Sequence, residues 1–532
     1  MKKFLIKIDK FLDSHTTLWF FLILLVILRV PNFFEPYWYG DEGIYLTVGQ
    51  SIRSGQQLYS EIIDHKTPII YYLATVPNQF YFRVLLLFWM IISTAFFYSL
   101  SRKFFKNKYL TWLSLLIFVI FTTLPWFEGN IPNGELFVLG FVLAGLWLLS
   151  KSEYLDKVIN KKKTEKTKVK ANKSLIFAGG AFFGLAILTK VPALLDLAAI
   201  MLIPWFAVTG KLLQTSRIDL NKKIAMFKSL FNRWLPLLAG VGMMIILSIV
   251  YFTGLSSGAD YLEYGLLYNL HYTQSWQVNF ASQLINFLFT LQGKTLVLAL
   301  ILVALTLFKN LSLKLKFFLG WTSLAMYAVL LSNRPYAHYF IQAILPLSFL
   351  LTTMTEDLIA GFKNKKLLKQ TLWSLALGAT IIAGSALILI SLDFRLYPTK
   401  KYYVNYFKFI KGELTQEEYF SKFNWLMSDN YQLTEFIQNT NEKRLFIWGT
   451  NPMLYALSET IPVGRYTVSF HITDMNAYEE TLQAVTQAEP KFIVVMNNAP
   501  SFPEFYNYLE ANYSPNYNYD HMTLYKRENP GN

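Results

Sequence analysis

No cysteine occurs in these 532 residues. Disulfides, a thiolate nucleophile and cysteine-ligated zinc are thereby excluded, and any outward-facing domain must hold together by its core alone. Histidine is scarce: there are six, scattered, with no HxxxH or HExxH pattern, so no dedicated metal site is expected. A glycine-rich phosphate cradle is missing too, since "GTNP" at 449–452 offers one glycine where a dinucleotide fold needs three. Charge is sparse, at 16% of residues against 54% hydrophobic, which excludes an ordinary soluble globule.

What is present is a series of apolar runs of the length a membrane helix needs. They fall at about Leu18–Phe34, Tyr81–Leu100, Leu110–Phe127, Glu135–Ser150, Ser174–Leu188, Pro192–Thr209, Trp234–Phe252, Leu284–Phe308, Phe317–Leu331, Tyr339–Thr355 and Leu372–Leu392, which is 11 spans. The basic "MKKFLIKIDK" before the first run resembles the start of a signal peptide. No small-residue cleavage site follows, so the run reads as an uncleaved first span. The net charge of +15 does not call for nucleic acid. The segments 1–10, 101–108, 151–173, 210–233, 309–316 and 356–370 hold 30 of the 49 lysines and arginines, all on one side of this topology. The positive-inside rule then places the N-terminus in the cytoplasm and the C-terminus outside, in a multi-pass protein of the cell membrane. The lysine-rich run 151–173 reads as a solvated loop beside anionic headgroups.

The texture changes after Asp393, giving a transmembrane domain over 1–392 and an extracytoplasmic domain over 393–532. Arg444–Thr450 and Lys491–Met496 read as buried strands, Ala477–Thr486 and Phe505–Tyr513 as amphipathic helices, and His521–Tyr525 as a last strand. The fold class expected is therefore a membrane all-α domain with a C-terminal α/β domain carrying a partly parallel sheet.

Candidate chemistry gathers in the loop after the first span. "WYGDEGIYLTVGQSIRSGQQLYSEIIDHKTPIIYY" contains the acidic pair Asp41 and Glu42, a second acidic cluster at Glu61 and Asp64, and Lys66. Trp38, Tyr39 and Tyr45 around the acidic pair suit a bilayer interface and also stack on sugar rings. A carboxylate at the rim of a low-dielectric cavity serves as general base toward a hydroxyl. Glu135, at the mouth of the fourth span, offers another acid, although a helix N-terminus alone favours one there. Lys66, Lys190 and Arg334 are outer-loop cations with no acid beside them in sequence apart from Asp64. Such cations invite an anionic partner, and a lipid phosphate is the natural one. His338 and Tyr339 beside Arg334 add hydrogen-bonding groups for the same anion. The aromatic loop Thr253–Ala281, without Lys or Arg, suits either an interfacial segment or carbohydrate contacts.

These residues resemble a known family. "YGDEGIYLTVGQSIRSGQQLYSEIIDHKTPIIYYL" is similar to the first outer loop of the polytopic glycosyltransferases of the GT-C fold that use lipid-phosphosugars. Nearest are glycosyltransferase family 39, the protein O-mannosyltransferases and the bacterial aminoarabinose transferases. Their pattern falls on Asp41, Glu42, Gly55, Tyr59, Asp64, Lys66 and Pro68. "LTKVPALL" resembles the family's lysine-containing turn, and "NRPYAHYFIQAILPL" its late outer segment, placing His338, Tyr339 and Pro346. The likeness covers roughly residues 15–355. "KTP" stands where "KPP" is commoner, the helix after it is compressed, and the C-terminal domain carries no family signature. The resemblance implies a metal-independent, inverting transfer without a cofactor, from a polyprenyl-phosphate sugar on the outer membrane face. Asp41 would be the base, with Glu42 or Glu135 in support. Lys66, with Lys190 or Arg334, would stabilise the departing phosphate, and Tyr45, Tyr59, Asp64, His338 and Tyr339 would line the substrate site. The partners are then the donor lipid, the bilayer and a protein, glycan or lipid acceptor, with no nucleic acid. A transporter or flippase of lipid-linked or anionic solutes is the competing class. Against it, the charges cluster at one face and no inverted repeat is visible. A receptor or scaffold would explain the C-terminal domain but not the acidic loop.

Overall fold

The computed structural model describes residues 16–156, 158–159, 172–214, 219–273, 276, 278–309, 311–363 and 365–528. The basic segment 1–10 and most of the lysine-rich run 151–173 lie outside the described residues.

Each of the expected apolar runs is helical, although Leu284–Phe308 divides into two helices and Leu110–Phe127 into a helix ending at Thr123 and a short turn at Pro125–Phe127. Among the described residues, six helices are long and apolar enough to cross a membrane: Thr16–Phe34, Gln79–Phe104, Val191–Leu212, Leu220–Gly254, Leu313–Leu330 and Ala337–Phe362. Gln283–Phe289 and Leu291–Leu307 pass the same length and hydropathy test only together, as a pair bent by 78° at Thr290, whose hydroxyl caps the second helix at Gly293. Lys108–Thr123, Gly134–Leu149, Lys173–Ile187 and Leu375–Ser391 are shorter apolar helices. The chain is a multi-pass membrane protein. Helix ends follow ordinary rules. Asn78 caps the helix Gln79–Phe104 by accepting from the Tyr81 amide, and Arg102 and Lys103 complement its C-terminal dipole.

The C-terminal α/β domain carries a five-stranded sheet in the order β2-β1-β3-β5-β4. Its strands are β1 (Arg444–Trp448), β2 (Ile461–Pro462), β3 (Phe492–Met496), β4 (Tyr513–Asn518) and β5 (Met522–Arg527). β1 pairs in parallel with β2 and β3, while β5 runs antiparallel to β3 and β4, so the sheet is partly parallel as expected. β1 and β3 read as strands because they are continuous buried apolar runs. β2 and β4 did not: β2 has two residues, and β4 carries Pro515, which an edge strand with a local irregularity tolerates.

This domain sits on the loop that follows the first span. The helix Gly40–Arg53 packs against Pro452–Ser458, with Thr47 Oγ1 donating to the Pro452 carbonyl (3.1 Å) and Gln50 Nε2 to that of Thr460 (2.9 Å). Gly43 permits the approach, because a Cβ there would stand 2.9 Å from the Met453 backbone nitrogen. Further along, the Ile63 amide donates to the Arg465 carbonyl at 2.7 Å. The acidic loop is thus held between the helical bundle and the C-terminal domain.

Candidate active site

Asp41 and Glu42 open the helix Gly40–Arg53, where the helix dipole favours acids. Successive helical side chains point about 100° apart, and the two carboxylates go to different places. Asp41 keeps 27% of its side-chain surface exposed, whereas Glu42 is 1% exposed. Glu42 accepts from Arg83 Nε at 2.9 Å and Nη2 at 2.7 Å, and from Gln79 Nε2 at 3.0 Å. The Glu42 carboxylate, expected to work beside Asp41, is thus engaged by Arg83 and Gln79 in the interior.

Asp41 faces a cluster of charges. Lys66 Nζ lies 3.6 Å from its Oδ1, Tyr45 donates to Oδ2 at 3.3 Å, and His338 Nε2 is 3.8 Å from Oδ2. Lys66 also reaches Asp64 Oδ2 at 3.4 Å and lies over the Tyr45 ring. The same oxygen, Asp64 Oδ2, also accepts from the Tyr71 hydroxyl. Burial pushes the Asp41 carboxyl up, but Lys66, then His338 and Lys190, outweigh it and hold it below the usual aspartate range. Burial pulls the Lys66 ammonium down, yet Asp41 and Asp64 outweigh it and keep the group charged above its ordinary value. Asp64 is likewise held well below its range, since Lys66 and His65 overcome its burial.

Glu135 and Lys190 form an ion pair, and Lys190 stacks over the Tyr339 ring at 4.5 Å. Arg334 lies against the faces of Tyr272 (4.3 Å) and Trp276 (5.3 Å). The outer-loop cations therefore do not lack acids: Lys66 and Lys190 have them, brought from elsewhere in the chain. Tyr339 reaches the same group through the Tyr272 hydroxyl at 3.3 Å. Tyr59, expected to line a substrate site, is fully buried against Phe252 and Tyr261, and its hydroxyl donates to the Lys66 carbonyl at 2.8 Å. Its place is behind Lys66, shaping the loop, where Gly55 supplies a turn at φ 95°.

The structure adds residues that the sequence reading passed over. Glu128 accepts from the Tyr39 hydroxyl and lies 2.8 Å from His338 Nδ1, so His338 bridges Glu128 and Asp41. Glu128 opens the segment "EGNIPNGELF" that leads to Glu135, at a left-handed turn (φ 58°) that no motif marks. His471, from the C-terminal domain, meets His65 at 3.0 Å.

A helical membrane bundle, an acidic helix after the first span and a C-terminal α/β domain seated over it make up the GT-C fold. Two solved structures share that fold over nearly the whole chain. ArnT from Cupriavidus metallidurans in the apo state superposes with a TM-score of 0.53, covering 96% of this chain and 98% of that one at 13% identity. ArnT from the same organism bound to undecaprenyl phosphate gives a TM-score of 0.51 with the same coverage and identity. No protein-family model matches the sequence, and no curated protein does.

Proposed function

We propose that this chain is an integral membrane glycosyltransferase. It moves a sugar from a polyprenyl-phosphate donor to an acceptor hydroxyl at the outer membrane face, with Asp41 as general base. The observation that carries the reading is the partly exposed Asp41 carboxylate held 3.6 Å from the Lys66 ammonium, with His338 on its other oxygen. The likeness to a structure bound to undecaprenyl phosphate supports the donor class.

The acceptor oxygen attacks the anomeric carbon, its proton passes to Asp41, and the bond from that carbon to the phosphate oxygen breaks. The electron pair of that bond leaves with the polyprenyl phosphate. Lys66 stabilises the growing charge on this leaving group, with Lys190 and Arg334 as further cations of the site. In the resting protein Lys66 and His338 keep Asp41 ionised. Donor phosphate competes for Lys66, weakens its hold on Asp41 and so raises the basicity of that carboxylate at the moment it is needed. Glu128 orients His338, and Glu135 holds Lys190. Glu42 supports the helix on which Asp41 stands and takes no part in the transfer. The test is turnover of a polyprenyl-phosphate sugar by the purified protein in lipid vesicles, read as free polyprenyl phosphate. Release by wild type and none by Asp41→Asn supports the reading; no release under any acceptor mixture, with anionic solute crossing the bilayer, replaces it with transport.

A further inference from the structure

Asp64 divides its carboxylate between two tasks. Oδ2 takes the Tyr71 hydroxyl and the Lys66 ammonium, while Oδ1 turns to a pair of histidines. His65 Nδ1 is 3.0 Å from Oδ1, His471 Nε2 is 3.2 Å from it, and the two nitrogens are 3.0 Å apart. Asp64 and His471 are fully buried and His65 is 5% exposed. The geometry points to a divalent cation site of the zinc class, formed by Asp64 Oδ1, His65 Nδ1 and His471 Nε2, that clasps the C-terminal domain onto the first loop.

Hydrogen bonding alone serves this triangle poorly. Asp64 Oδ1 has no aligned hydrogen bond although two imidazole nitrogens lie within 3.2 Å of it. The facing nitrogens can share only one proton in an N–H···N bond, so another lone pair stays buried without a donor. His471 Nδ1 has no hydrogen-bond partner either, so the ring's polar connections run through Nε2. A cation uses all three converging lone pairs at once. With bonds of about 2.0–2.1 Å, an ion fits about 1 Å out of the plane of such a triangle, leaving a tetrahedral position open. Two imidazoles and one carboxylate suit a borderline first-row ion, with zinc the natural probe.

The surroundings fix the donors in place. The His65 ring stacks on Tyr272 at 4.5 Å, and Asn269 Nδ2 donates to the His65 carbonyl at 3.0 Å. His471 comes from the short helix Ser469–Asp474 of the C-terminal domain, 406 positions along the chain from His65. An ion here ties two distant parts of the chain, and by holding Asp64 it sets the position of Lys66. It makes no contact with Asp41, so its role is structural and stands apart from the reading of the transfer reaction.

The test uses the full chain, stripped with a chelator, incubated with Zn²⁺, desalted and assayed by elemental mass spectrometry. The expected result is about one zinc per chain in wild type, held by the three protein donors with the fourth position left to water, and less than about a tenth of that in His471→Ala and in His65→Ala. Zinc should raise the unfolding temperature of stripped wild type and leave that of His471→Ala unmoved. Stripped wild type needs no variant to fold, so a failed variant still leaves a decisive measurement. Wild type that holds no stoichiometric zinc, or whose unfolding temperature ignores it, overturns the site. So does His471→Ala that retains as much zinc as wild type, which would mark an adventitious ion only.

Discussion

Asp41 and Glu42 are neighbours whose carboxylates serve opposite ends: Asp41 meets Lys66 Nζ at 3.6 Å beside solvent, and Glu42 closes a bidentate pair with Arg83 in the interior. Removing one member of a buried pair leaves the other charge uncompensated and costs about 3–5 kcal/mol. Glu42→Ala is therefore expected to lower the unfolding temperature sharply in detergent. What folds should bind donor with ordinary affinity, which a binding titration on the monodisperse fraction measures. A Glu42→Ala protein of full stability but no turnover would place Glu42 in the chemistry instead.

Lys66 has two expected signatures. A charge-assisted hydrogen bond to phosphate is worth about 1.5–3 kcal/mol, so Lys66→Gln should weaken donor binding roughly ten- to a hundred-fold. The second is in the pH profile. Lys66 leads the groups that hold the Asp41 carboxyl below the usual aspartate range, so the base stays ionised and the wild-type acid limb lies below that range. Without the cation the charged form loses its support, the Asp41 value rises, and the acid limb of kcat/KM moves to higher pH. An unmoved limb would separate Asp41 from Lys66.

Orientation follows from the charge distribution. A chain without cysteine allows a clean measurement with one introduced at the exposed Asn498 in the C-terminal domain. In intact cells a membrane-impermeant thiol reagent is expected to label Asn498→Cys from outside. Labelling only after the membrane is opened would invert the topology.

Much of the fold was legible because a bilayer demands helices of a set length, and apolar runs of that length announce themselves. β1, β3 and β5 were legible as apolar runs, whereas two-residue β2 and proline-bearing β4 are made strands only by their neighbours. The site divided along similar lines. Asp41, Asp64 and Lys66 lie within one loop, and their closeness in sequence foreshadowed the contacts they make. Arg83 lies inside the apolar run Tyr81–Leu100 with no acid beside it in sequence, so its claim on Glu42 stayed hidden. The pairing of Glu135 with Lys190, Glu128 with His338, and His65 with His471 arises from packing between separate helices and domains. No local pattern encodes such pairs.

In the proposed reaction Asp41 takes the proton of the acceptor hydroxyl. Asp41→Asn keeps the size of the side chain and most of its hydrogen bonds but cannot accept that proton, and a positioned general base contributes on the order of 10²–10⁴ in rate. The decisive measurement is the rate of polyprenyl phosphate release from a polyprenyl-phosphate sugar by wild type and Asp41→Asn, matched for monodispersity and donor binding. In Asp41→Asn the rate is expected to fall at least about a hundredfold with donor affinity retained. Release by Asp41→Asn at the wild-type rate would contradict it.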